Sequence, residues 1–62
     1  PLTCRELEVL RLMSNNLSNA SIAELMNITL DTVKFHGKNI FRKLQVKNRA
    51  QAVEKAKRMG VL

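Results

Sequence analysis

Tryptophan and tyrosine are absent from this chain of 62 residues, and glycine, proline and cysteine are nearly so, with two, one and one copies. A single cysteine excludes an internal disulfide and a cysteine-rich zinc site, and it suits a reducing compartment, so a cytoplasmic location is expected. So little glycine and proline leaves no material for hairpins, and the expected fold is all-α. No glycine-rich loop exists to cradle a phosphate. No nucleophile stands beside a base, and no carboxylate pair falls in a plausible cleft, so an enzyme is not expected. His36 is the only histidine and makes no metal site alone, so neither metal nor cofactor is expected. Apolar runs stay far below the ~18 residues needed to span a bilayer, and no signal-peptide pattern opens the chain. An interfacial helix would need a larger apolar face than any found here. Membrane partners are therefore not expected.

Acidic residues are scarce in the second half, and that scarcity carries information. Residues 1–31 hold two arginines against four acids, a net of −2, whereas residues 32–62 hold nine cations against Glu54 alone, a net of +8. The whole chain is +6. Such an asymmetry points to a polyanion bound by the second half.

Helix signals divide the chain into four. Thr3 and Glu6 form a capping box, with Leu2 and Leu7 placed to staple across it, and Val9, Leu10 and Met13 share the inward side with Glu6. Asn15-Asn16 ends this first helix. Cys4, at its first position, has no basic partner to activate it and is a tolerated small residue. Ser18 caps a short second helix that packs through Ile22, Ala23 and Met26, leaves Leu25 partly exposed and ends near Asn27; Leu17 and Ile22 repeat the staple. Asn48 caps the last helix, Gln51 stands as its capping-box partner, and Gly60 stops it. Arg49, Val53, Ala56 and Gly60 share one side of that helix, with Ala52 and Met59 beside them. This apolar side is wide enough to serve a partner subunit as well as the core.

The third helix, residues 30–44, is the centre of the design. Thr29 caps it, and Ile28 and Val33 staple its start. At about 100° per residue, Val33, Gly37, Ile40 and Leu44 form a narrow apolar stripe with Leu30, His36 and Phe41 at its edges. Asp31, Lys34, Phe35, Lys38 and Arg42 occupy the opposite side, with Asn39 and Lys43 next to them. Two helices joined by so short a turn form a helix-turn-helix, whose second member enters the major groove of DNA. A small residue at Ala23 lets that second member cross closely.

Leu2-Thr3, Arg5-Glu6, Glu8-Val9-Leu10, Leu17-Ser18-Asn19, Ile22-Ala23, Ile28-Thr29, Thr32-Val33-Lys34, His36, Ile40, Lys43-Leu44, Val46, Asn48-Arg49 and Gln51-Ala52-Val53 together resemble the LuxR-type (GerE-like) helix-turn-helix domain. The resemblance spans nearly the whole chain. It implies a four-helix bundle containing a helix-turn-helix: one domain over 1–62, the C-terminal part of a longer bacterial transcription regulator. Pro1, standing where an initiator Met would be expected, agrees with an excised piece. Its expected task is sequence-specific binding of double-stranded DNA, usually as a homodimer, with RNA polymerase as a further partner.

Carried across residue by residue, the resemblance implies base contacts from Lys34, Phe35 and Lys38. It implies backbone contacts from Thr29, Thr32, Lys43, Asn48 and Arg49, with Arg42 and Lys47 beside them. The last helix, through Ala52, Val53, Ala56 and Met59, is the implied dimer contact. His36 matches the family's histidine and is assigned to packing and a phosphate bond in preference to base reading. The chain departs from the pattern at three positions: Ser21 replaces an acidic residue, Leu25 a polar one and Gly37 an apolar one. Two rivals remain: a sigma-factor region-4-like promoter binder, against which the fourth helix argues, and a protein-interaction module, against which the +8 second half argues.

Overall fold

The computed structural model describes residues 1–62, as four helices and no strand. In order they are α1 (Cys4–Ser14), α2 (Asn19–Met26), α3 (Leu30–Leu44) and α4 (Arg49–Arg58). Every N-terminus is closed by the residue the sequence offers. The side chains of Thr3, Ser18, Thr29 and Asn48 accept from the backbone N–H of Glu6, Ser21, Thr32 and Gln51. Thr3 and Glu6 complete a reciprocal capping box, with the Thr3 amide donating to Glu6 at 2.9 Å. Gln51 differs from expectation: its carboxamide accepts from the backbone N–H of Lys47, one residue before the cap, at 2.9 Å.

The C-termini share one device. Asn16, Asn27, Gln45 and Gly60 take left-handed φ values of 63°, 56°, 58° and 75°. In each case the next residue turns its N–H back to a carbonyl five positions earlier: Leu17 to Leu12, Ile28 to Ala23, Val46 to Phe41 and Val61 to Ala56. These are Schellman closures, which satisfy carbonyls the helix would otherwise leave unpaired. All four returning residues are apolar and pack against the core. Leu17 and Ile28 are each followed at once by a cap residue, Ser18 and Thr29. The closing of one helix and the opening of the next are therefore fused, which keeps the α2–α3 turn short.

α1 and α2 both lie on α3, and α4 closes against α1 and α3. Val9, Leu10, Ile22, Val33, Ile40, Ala52 and Ala56 have no exposed surface, and Met13, Ala23, Met26 and Leu44 complete the core. The α3 stripe is the one the sequence spacing predicts, Val33, Gly37, Ile40 and Leu44. Gly37 lies against Met13, whose methyl carbon is 3.4 Å from where a Cβ on residue 37 would sit. No helix is long and apolar enough to cross a membrane.

Candidate nucleic-acid interface

With its stripe buried, α3 presents the other face outward. Lys34, Phe35 and Lys38 are exposed, Phe35 by 61%. The phenyl ring therefore does not fold back over the core. Its one aromatic neighbour is His36, half-buried, with ring centroids 6.0 Å apart and planes tilted by 57°.

The fold then adds the start of α4 to this face. One groove is lined by Lys34, Lys38, Lys47, Asn48, Arg49 and Asn19, and floored by Met13, Val33, Gly37 and Phe41. Three of these cations, Lys34, Lys38 and Lys47, have ammonium groups without an acid partner. Asn48 spends only its carbonyl oxygen on the cap, at 2.9 Å from the Gln51 amide. Its NH2 stays available to an acceptor in the groove. Thr29 and Thr32 join hydroxyls at 2.8 Å while Thr29 also accepts from the Thr32 amide. Whichever hydroxyl donates in that pair, one O–H remains for an outside acceptor. Arg42 is exposed, and one of its donors is held by Asn39 at 2.9 Å.

Lys43 and Arg49 carry bonds inside the fold. Lys43 places its ammonium 2.8 Å from the carboxylate of Glu6, a residue only 4% exposed. Burial raises the Glu6 pKa, but the Lys43 bond, the Thr3 amide and the Lys43 charge overcome it and hold the carboxyl below its ordinary value. Arg49 sends one guanidinium nitrogen to the Leu17 carbonyl and another to the Asn19 side chain, the latter at 2.7 Å. It thereby ties the start of α4 to the α1–α2 junction. Both cations bond internal acceptors, as does Lys55, whose ammonium lies 2.6 Å from the Leu44 carbonyl at the end of α3. Glu6 was the available signal for the first of these bonds: a lone carboxylate on an apolar stripe requires a buried partner.

The α4 surface is also narrower than expected. Ala52 and Ala56 are fully buried between α4 and the core, so neither side chain can meet a partner subunit. Val53 is half-buried, and Met59 is 56% exposed. Of the four residues, these two keep surface for a second molecule.

Comparison with known proteins shows the family and the fold. The family model described as GerE, bacterial regulatory proteins, luxR family, matches residues 1–56. The chain is 43% identical over 61 residues to the HTH-type transcriptional regulator AlkS of Alcanivorax borkumensis, covering 98% of this chain and 7% of that protein. It is 50% identical over 52 residues to the response regulator protein VraR of Staphylococcus aureus, covering 84% of this chain and 25% of VraR. Among solved structures, the response regulator ChrA of a heme-sensing two-component system superposes with a TM-score of 0.97 at 35% identity, over all of this chain and 31% of that one. The transcription factor GerE superposes with a TM-score of 0.92 at 36% identity, over 98% and 91% of the two chains.

Proposed function

The chain belongs to the luxR family of bacterial regulatory proteins, and from that premise we propose that it is the sequence-specific, duplex-DNA-binding output domain of a bacterial transcription regulator. The observation that carries this reading is the shared groove. It joins the outward cations of α3, Lys34 and Lys38, to Lys47 and the free NH2 of Asn48 at the start of α4. α3 is 15 residues long, about 22 Å at 1.5 Å per residue, enough to lie across several base pairs of a major groove. Lys34 and Lys38 donate to guanine O6 and N7, and the Phe35 ring, which offers no hydrogen bond, meets a thymine methyl. Thr29, Thr32, Arg42, Lys47 and Asn48 hold phosphates on either side. The protein works in the cytoplasm, binds as a homodimer and meets RNA polymerase beside the promoter.

Salt dependence tests the assignment of phosphate contacts. Each phosphate neutralised contributes a slope of about −0.9 to log K against log salt. The two cations placed on phosphates, Arg42 and Lys47, predict roughly −2 per domain. Lys47→Ala should flatten the slope by about one unit on every sequence, whereas Arg49→Ala should leave it unchanged. An equal flattening by Arg49→Ala would put its charge on a phosphate as well and would overturn the division made here. A chain that binds no duplex at low salt would overturn the function itself, in favour of a protein-interaction module.

A further inference from the structure

The first turn of α3 carries an acid that none of the contacts above uses. Asp31 is exposed, and no cation or donor of the fold is bonded to its carboxylate, although it stands on the most cationic face of the molecule. It shares one shallow hollow with Lys34, Phe35 and Lys38, and these four alone line it. Their spacing, i, i+3, i+4 and i+7, is a single helix face. Whatever surface meets the two lysines and the phenyl ring therefore meets Asp31 as well.

We propose that Asp31 is a specificity-determining residue that selects a cytosine in the bound duplex, a reading that rests on the DNA-binding function argued above. A carboxylate is acceptor-only at neutral pH. Against phosphate oxygens, or guanine O6 and N7, it brings repulsion and no bond. Among major-groove edges the cytosine N4 amine is the donor that acidic side chains commonly take. Asp31 lies three residues from Lys34, about 4.5 Å along the helix axis. The rise of DNA is about 3.4 Å per base pair, so the selected cytosine lies next to the guanine read by Lys34. Asp31 also complements the positive end of the α3 dipole. That role touches stability and leaves base preference alone, so the two effects separate by measurement.

The test is binding-site selection from random duplexes with the intact protein and its Asp31→Asn and Asp31→Ala variants, alongside their melting temperatures. The wild type should enrich a cytosine adjacent to a guanine. Asn pairs bidentately with adenine N6 and N7, so Asp31→Asn should move that one position from cytosine toward adenine. Asp31→Ala should erase the preference there, with affinity for the cytosine-containing site falling at least about fivefold relative to its mismatched versions. Variants that bind every duplex more tightly while returning the wild-type motif would overturn the assignment of Asp31 alone, leaving only charge repulsion. A wild-type protein that enriches no motif would overturn the DNA-binding reading beneath it.

Discussion

Lys43 shows how far a single side chain's task depends on what lies across from it. On the sequence it is one of nine cations in a basic half; in the fold its ammonium neutralises a carboxylate with almost no solvent of its own. Removing one member of a fully buried pair costs about 3–5 kcal/mol. The Lys43 side chain keeps 33% of its surface, so Lys43→Ala should destabilise the domain by less, on the order of 2 kcal/mol. Urea unfolding would measure it. The folded carboxyl of Glu6 titrates below its ordinary value of 4.5. Its stabilisation is therefore complete above that pH and lost as the pH falls through the lowered folded value. Glu6→Gln should melt lower at neutral pH and lose less on acidification than the wild type. A second residue-scale test concerns Gly37. A Cβ there would meet only the flexible end of Met13, at 3.4 Å, so Gly37→Ala should stabilise the helix by about 0.5–1 kcal/mol. A fall in the urea midpoint would mean that the close α1–α3 approach requires glycine.

At the scale of the element, local rules decide most of what was built. Caps act over three residues and stripes over four, so Thr3, Ser18, Thr29, Asn48 and the whole buried face of α3 could be read directly from the chain. The bonds that were not legible join residues far apart: Glu6 with Lys43 is separated by 37 positions, and Arg49 with Leu17 by 32. α4 is harder to read for a different reason. Ala52 and Ala56 form its true core contact, and alanine carries too little hydrophobic signal to outweigh Val53 on a helical wheel. The shared C-terminal closure offers its own prediction. Gln45 is exposed, donates and accepts nothing through its side chain, and holds φ at 58°. An ordinary residue there costs roughly 1–2 kcal/mol against glycine's freedom. Part of that is offset by the extra entropy of an unfolded glycine. Gln45→Gly should therefore raise stability by about 0.5–1 kcal/mol and leave DNA binding unchanged. Thermal melting and a duplex titration check the two halves.

The whole molecule is small, 28 × 19 × 19 Å, and sorts its cations into two tasks. Lys43, Arg49 and Lys55 hold helices together, while Lys34, Lys38 and Lys47, with Arg49 beside them, face one groove. Pairing on DNA belongs to this scale. Two domains related by a twofold axis would set half-sites about 10 bp apart. Met59→Glu should weaken DNA-dependent pairing without unfolding the domain, since Met59 is exposed and Val53 packs against the core. Sedimentation of the protein–duplex complex reads this directly, and unchanged pairing would remove α4 from the contact.

The central claim, that the outward face of α3 reads base sequence, is tested most directly by competition between a selected duplex and its scrambled counterpart. The wild-type protein should prefer the selected duplex, and the Phe35→Ala/Lys38→Ala double variant should lose at least about tenfold of that preference while keeping its melting temperature, since each base contact is worth roughly 1–3 kcal/mol. A folded double variant that discriminates between the two duplexes as well as the wild type does would contradict the account.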